Sequence, residues 1–229
     1  MKSYRKNTKL LVENWKYFLK EEFEEEFEEK FEEKFSIGLV PMSAKPFHEG
    51  HMFLIREASK KCEKVIVFVS TSDRKRKGEI TIFGEDMKYI WQSILQPSIE
   101  SFYTNVEIEY GGSPVRKVFE TLQSANEIIS DETYYVYSDA EDTLKNYPVE
   151  SRIRYFEDLY KSGKVKFAGE EEKEMFTRGA GAPDVSGTLM RDYLSNASED
   201  KFLFLDSLPT EINAEQKEEI FNILFKRIN

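Results

Sequence analysis

The chain has 229 residues, of which 40% are hydrophobic and 33% are charged, and its formal net charge is −10 at pH 7. This composition excludes a disordered chain, and the lack of a basic excess argues against nucleic acid as a partner. The single cysteine excludes an internal disulfide, and no apolar run approaches the ~20 residues of a membrane helix. We therefore expect a cytoplasmic globular protein that binds neither nucleic acid nor a membrane.

Residues 1–34 are predicted to form an acidic amphipathic helical arm. Residues 21–34, EEFEEEFEEKFEEK, hold nine glutamates and two lysines, so most of the net negative charge lies here. Large apolar side chains recur at every fourth position, and because four residues advance by about 400°, the apolar stripe turns slowly around the helix. The stripe consists of Trp15, Leu19, Phe23, Phe27, Phe31 and Phe35. Three interpretations stay open: packing on the domain of the same chain, self-association into a homo-oligomer, and an acidic functional site.

Residues 35–229 are predicted to form one α/β domain that closes with a C-terminal helix. Short runs rich in β-branched and aromatic residues predict strands at 35–40, 64–69, 105–110, 133–137 and 164–167. The spacing of apolar residues predicts helices at 51–61, 86–101, 114–129, 148–161, 186–194 and 211–228. This alternation predicts a Rossmann-like doubly wound parallel sheet, preceded by the helical arm. Ligands of such sheets bind at the carboxyl ends of the strands.

The only two histidines, His48 and His51, follow the first predicted strand in the segment PFHEGH. They lie where a helix begins, and the unpaired N–H groups of a helix N-terminus favour a phosphate group. Gly50 permits a close approach of the main chain, and neutral imidazoles can donate to phosphate oxygens. A metal site is not expected, because zinc needs further ligands and the chain has no third histidine. Two histidines that only cap the turn are the simpler alternative.

Two segments of the chain together resemble a known superfamily. PFHEGH, at 46–51, is similar to the P-x-H-x-G-H element of the nucleotidyltransferases related to class I aminoacyl-tRNA synthetases, which include nicotinamide-mononucleotide adenylyltransferases and glycerol-3-phosphate cytidylyltransferases. SGTLMR, at 186–191, resembles their second element, S-S/G-T-x-I-R, with Met190 in place of isoleucine. The resemblance covers roughly residues 36–195. It departs before the histidines, where Met42 and Ala44 stand in the places of a glycine and a phenylalanine.

The resemblance implies nucleotidyl transfer, in which an acceptor attacks the α-phosphorus of a nucleoside triphosphate and pyrophosphate leaves. Mg²⁺ is the implied cofactor, because it accompanies the triphosphate. Catalytic roles at the phosphates are implied for His48, His51, Thr188 and Arg191. Nucleotide-binding roles are expected for the residues around them: Met42, Ser43, Lys45, Gly50, Ser186 and Gly187. The choice between ATP and CTP stays open.

The acceptor side of the predicted site carries weaker signals. We expect a small phosphorylated acceptor, bound by Ser113 and Arg116 after the third strand and by Asp139 after the fourth. A plain helix start and a solvated acidic turn are the alternative interpretations of these two segments. Residues 74–77, RKRK, follow the second strand, where they either grip a triphosphate or form an ordinary charged loop.

Three other functions stay open at this point. One is a non-catalytic nucleotide-binding or sensor module, because a fold alone does not fix an activity. Another is a fragment of a class I aminoacyl-tRNA synthetase, which the absence of a K-M-S-K-S segment disfavours. The third is a scaffold in which the site is a relict.

Overall fold

The structure is a computed structural model, and it describes residues 35–167 and 184–227. The predicted arm at 1–34 lies outside the described residues, so its helix and its part in self-association stay predictions. Within the described ranges, no helix is long and apolar enough to cross a membrane.

Five parallel strands form one sheet, as the sequence predicts. They are β1 (Ser36–Met42), β2 (Lys64–Ser70), β3 (Val106–Gly111), β4 (Thr133–Val136) and β5 (Val165–Phe167). Their order across the sheet is β3-β2-β1-β4-β5. The chain runs outward from β1 to β3 and then crosses to the other side of β1, so the predicted doubly wound α/β fold is confirmed. The crossing leaves a crevice between the carboxyl ends of β1 and β4, where such sheets bind ligands.

Helices connect the strands and cover both faces of the sheet. In the described residues they are α1 (Glu49–Lys61), α2 (Gly84–Ile90), α3 (Gln96–Phe102), α4 (Pro114–Glu127), α5 (Ala140–Asn146), α6 (Val149–Lys161), α7 (Gly187–Ser195), α8 (Ala197–Asp206) and α9 (Ala214–Lys226). Because every strand is parallel to its neighbours, each connection must cross over the sheet.

The strands β1 and β2 are apolar along most of their length because both faces of the sheet are covered there. Alternate residues of β2 face opposite sides. Val65 and Val67 belong to a core cluster that includes residues of α1, α7 and α9. Ile66 and Phe68 belong to a second cluster, which includes residues of α4 and α6. The sheet is therefore clamped between two layers of helices, and its carboxyl edge is the part left to bind a ligand.

The helix predicted at 86–101 is interrupted. A π-helical turn at Trp91–Leu95 separates α2 from α3. Pro97 has no N–H to donate, so the regular ladder cannot pass through it, and the Gln96 N–H bonds instead to the Trp91 carbonyl five residues back. A proline two residues past the turn is the sequence signal for this interruption.

Two helices in the described part of the chain are absent from the sequence prediction. The acidic segment after β4, for which a solvated turn was one interpretation, forms α5. The other is α8, in which Phe202 and Leu203 are exposed beside the buried Phe204. Because the apolar residues of α8 do not share one face, the helical period is too weak to predict it.

Candidate functional site

His48 is the N-cap of α1, which begins two residues earlier than the sequence predicts. Its Nδ1 accepts a hydrogen bond of 3.1 Å from the Gly50 N–H. Because a neutral imidazole has one donor nitrogen and one acceptor nitrogen, the proton of His48 sits on Nε2. The ring is buried, and its centroid lies 3.9 Å from that of His51. His48 therefore caps the helix, as the simpler alternative expects, and its ring also lies beside that of His51.

Lys45 is a buried lysine in the loop between β1 and α1. Its Nζ donates a 2.9 Å hydrogen bond to the carbonyl of Ser70, the last residue of β2. Burial lowers the pKa of Lys45 to about 8; the charge of Asp73 opposes this shift and that of Arg74 adds to it. The side chain thus ties the ends of two neighbouring strands together and is a cation at neutral pH.

The second sequence element forms the start of α7. Ser186 is the N-cap, and its Oγ accepts from the Leu189 N–H at 3.2 Å. Arg191 lies one turn further on, and its guanidinium points back to the helix start, where Nη2 donates to Thr188 Oγ1 at 2.9 Å. The other terminal nitrogen, Nη1, donates to the Lys45 carbonyl at 2.8 Å. This bond joins two segments that are 146 residues apart in the sequence.

Gly187 makes room for that guanidinium. A Cβ atom built on Gly187 would lie 3.1 Å from Arg191 Nη1 and 3.6 Å from the Lys45 carbonyl oxygen. The first of these distances is tighter than ordinary van der Waals contact, so a larger residue would push the guanidinium aside. The glycine of the S-G-T sequence therefore has a steric reason in this structure.

The two sequence elements line one pocket of about 460 Å³ at the carboxyl edge of the sheet. The predicted site residues that line it are Met42, Ser43, Lys45, His48, His51, Asp139, Ser186, Gly187, Thr188 and Arg191. Gly50 is buried beneath His48, and its N–H is taken by the cap and not directed at a ligand.

Ser113 and Arg116 do not line this pocket. Ser113 is the N-cap of α4, and its Oγ accepts from the Arg116 N–H at 3.3 Å. The Arg116 side chain is 79% exposed and pairs with Glu120 one turn along the same helix. Their neighbours Pro114 and Val115 line the pocket instead, so this helix start touches the site with apolar atoms.

Several lining residues were not among the predicted site residues. Arg74 and Arg76 line the pocket, whereas Lys75 between them has a side chain that is 64% exposed. Alternation in RKRK was the available signal, because an extended segment turns every second side chain to the same side. A second set of residues comes from the loop after β4 and from α5 with its C-cap, and those after position 142 were missed because that helix was not predicted. They are Ser138, Asp142, Asn146 and Tyr147.

Charge is unevenly distributed around the pocket. Lys45, Arg74, Arg76 and Arg191 line the side built by β1, β2 and α7. Carboxylates line the opposite side, at the end of β4 and in α5. A ligand with a polyanionic part is therefore favoured on the first side.

The carboxylates that line the pocket are candidate ligands for the expected Mg²⁺. Among the described residues, no group of three or more His, Cys, Asp or Glu side chains could hold a metal ion by itself. Asp139 and Asp142 line the pocket, and Mg²⁺ prefers oxygen ligands, commonly one or two carboxylates with substrate phosphates and water. These residues fit an ion that arrives with a triphosphate.

A family model matches the first part of the α/β domain. The model of the citrate lyase ligase C-terminal domain, a nucleotidyltransferase-like family, matches residues 37–82. The match runs from β1 through α1 and β2, so it includes PFHEGH and RKRK but not SGTLMR. Comparison with curated proteins gives no match. The family match indicates an enzyme of the ligase or transferase type.

Proposed function

We propose that the protein is a nucleotidyltransferase. It moves a nucleoside monophosphate group from ATP or CTP to a small phosphorylated acceptor and releases pyrophosphate. One observation carries the proposal: the imidazole pair and the S-G-T-x-x-R segment line the same pocket and are joined by the 2.8 Å bond from Arg191 to Lys45. Neither element alone supports this proposal strongly, and their convergence on one basic surface is what supports it.

The proposed reaction needs no protein nucleophile. An oxygen of the acceptor attacks the α-phosphorus, the bond to the bridging oxygen breaks, and that oxygen leaves on pyrophosphate. His48 donates its Nε2 proton in a hydrogen bond to the phosphates, and His51 stands beside it. Positioned donors of this kind stabilise the negative charge that develops in the transition state. Mg²⁺ supplies charge neutralisation across the phosphate oxygens when it is bound.

Two cations that line the same pocket, Lys45 and Arg191, hold the pyrophosphate leaving group. The Arg191 guanidinium bonds to the main-chain carbonyl of Lys45, and the Lys45 ammonium bonds to the Ser70 carbonyl, so each cation has a fixed position. Thr188 accepts from Arg191 and keeps its own hydroxyl proton for a phosphate oxygen. These contacts are made before the substrate arrives, and such preorganisation reduces the cost of binding and of catalysis.

The acceptor is proposed to enter beside β4 and α5. Asp139, Asn146 and Tyr147 offer hydrogen-bonding groups there, while its phosphate reaches the basic side. Ser113 and Arg116 are not part of this proposal, because the cap and the exposed ion pair occupy them.

The family match favours a second candidate, a ligase that activates a carboxylate. The test of both is pyrophosphate release from each of four nucleoside triphosphates with Mg²⁺, against phosphorylated acceptors and carboxylates, citrate among them. We expect release with one triphosphate and one class of acceptor, and its loss in His48→Ala. Silence with every pair would reject both reactions, and triphosphate binding without release would favour a non-catalytic module.

A further inference from the structure

The segment that follows β2, residues 71–83, forms a narrow hairpin over the pocket. Arg74 and Ile82 pair as an antiparallel bridge, with N–H to carbonyl distances of 2.8 and 3.1 Å. Gly78 stands between them with φ +85°, a conformation that favours glycine. At the base, the Gly84 N–H donates to Asp73 at 2.9 Å. We call this segment the arginine hairpin.

Glu79 of the arginine hairpin lies against the pocket arginines. Its Oε2 is 2.9 Å from Arg191 Nε and 3.7 Å from Arg74 Nε, and its side chain is 20% exposed. Burial raises the pKa of Glu79, but pairing with Arg191 and the charges of Arg74 and Arg76 lower it on balance. Glu79 is therefore an anion at neutral pH, held between two arginines that line the pocket.

The carboxylate is a poor match for this position. Arg74 Nε, Glu79 Oε2 and Arg191 Nε are all buried, and within the described ranges none of the three has a hydrogen bond of good geometry. Buried polar groups are normally hydrogen-bonded, and each exception requires an explanation. The charges attract one another, but the planar carboxylate does not satisfy the N–H groups that surround it.

Glu79 also offsets repulsion within the arginine cluster. Burial lowers the pKa of Arg74, and the charges of Arg191 and Arg76 lower it further. Without an anion among them, these guanidinium groups would push apart, since like charges at short range destabilise one another. The arginine cluster needs a negative charge at this point, and Glu79 supplies it.

We propose that Glu79 occupies a phosphate subsite formed by Arg74 and Arg191, and that a phosphate group of the incoming triphosphate displaces it. The inference rests on the proposed function, which puts a triphosphate in this pocket. A phosphate group brings more charge and more acceptor oxygens than a carboxylate, so it satisfies the buried N–H groups better. Glu79 is then a positioning residue that keeps the arginines in place between turnovers.

Calorimetric titration of the whole protein with inorganic pyrophosphate tests this. If Glu79 fills the subsite in about nine molecules of ten, its removal tightens binding about tenfold. Glu79→Gln keeps the shape and removes the charge, so we expect its Kd to fall by about that factor. The matched control is Glu107→Gln, which removes an exposed carboxylate paired with Lys64 at the start of β3. It should leave the Kd unchanged.

Thermal unfolding of the same variants separates displacement from a purely structural role. Glu79→Gln should lose stability while it gains affinity for pyrophosphate, because the arginine cluster loses its counter-charge. If Glu79 only supported the hairpin, Glu79→Gln would lose both stability and affinity for pyrophosphate. That result, or an unchanged Kd, would overturn the inference. If wild type binds pyrophosphate and Glu79→Gln binds no tighter, only the inference fails. If neither protein binds it, the proposed function fails as well.

Discussion

The starts of α4 and α7 look alike in sequence, but their arginines lie in different surroundings. At α4, Ser113 caps the helix and Arg116 follows in the first turn. At α7, Ser186 caps the helix and Arg191 follows one turn in. The Arg116 side chain is 79% exposed, whereas the Arg191 side chain is 3% exposed and bonded to the loop that carries Lys45.

The difference shows that a capped helix with an arginine is not by itself an anion site. Arg116 finds a partner on its own helix, which is worth a few tenths of a kcal/mol at an exposed position. Arg191 is held by groups from two distant segments, so its direction is fixed before any ligand binds. The tertiary position, which the local sequence does not contain, decides which of the two arginines lines the pocket.

The largest expected effect separates the two arginines. Arg191→Ala should lower kcat/KM for the triphosphate by at least about 100-fold, because it removes a preorganised charged donor. Arg116→Ala, the matched control, should stay within about twofold, as expected of an exposed residue outside the pocket. Steady-state pyrophosphate release measures both. Equal losses in the two variants would remove the distinction between the helix starts.

The glycines beside the two caps give the next largest effect. Gly187→Ala should lower kcat/KM by up to about tenfold, because the new Cβ shifts the Arg191 guanidinium by a few tenths of an ångström and a misplacement of about 1 Å can cost 100-fold. Its thermal stability should hold or rise, since alanine favours a helix by up to about 1 kcal/mol over glycine.

Gly112→Ala is the control for this pair. A Cβ at Gly112 would meet only Ser72 Oγ, at 3.9 Å, among the described residues. Activity should therefore be unchanged. Full activity in Gly187→Ala would show that the close contact at α7 has no bearing on the reaction.

The pH dependence of triphosphate use tests the lysine that supports Arg191. The pKa of Lys45 in the folded protein is about 8, so its charge is present below pH 8 and is lost above it. We expect kcat/KM to fall by up to about tenfold per pH unit above this value, because it reports ionisations of the free enzyme. Lys45→Met should be slow but lack this fall. A fall of the same size in Lys45→Met would assign it to another group.

The free energy of unfolding should change with pH in the opposite direction as Lys45 loses its proton. Folding lowers the pKa of Lys45 from 10.5 to about 8, so the folded state binds fewer protons between these values. The contribution of Lys45 to the free energy of unfolding therefore rises with pH across this window. Comparing wild type with Lys45→Met in urea at pH 7.5 and pH 10 measures it, and a contribution that falls with pH would be contrary to the buried position.

The smallest expected effect concerns the two caps. Ser113→Ala and Ser186→Ala should each destabilise the fold by about 1 kcal/mol, since each removes one side-chain cap. Only Ser186→Ala should also weaken triphosphate binding. Thermal unfolding and calorimetric titration of both variants measure these effects. Weaker triphosphate binding in Ser113→Ala would show that the start of α4 belongs to the site.

The sequence predicts the sheet well and parts of the site poorly, for physical reasons. β2 is an unbroken apolar run because both of its faces are buried, and that pattern is visible without a structure. α8 shows no such pattern, because its apolar residues are spread around the helix. An element is predictable from a single sequence when its burial gives a regular apolar pattern.

The same contrast holds within the pocket. PFHEGH and SGTLMR can be identified because each is a set of residues at a fixed local spacing. Glu79 has no such signal, because its position depends on the pairing of Arg74 with Ile82 across the hairpin. Ser113 and Arg116 carried a similar local signal and do not line this pocket, so a local signal does not fix the tertiary position of a side chain.

The most direct test of the central claim is a crystal structure with a non-hydrolysable analogue of ATP or CTP. Our account predicts that the phosphates lie between the imidazoles of His48 and His51 and the guanidinium of Arg191, in contact with both helix starts that carry them. A nucleotide bound elsewhere on the domain, with its phosphates away from this pocket, would contradict the account.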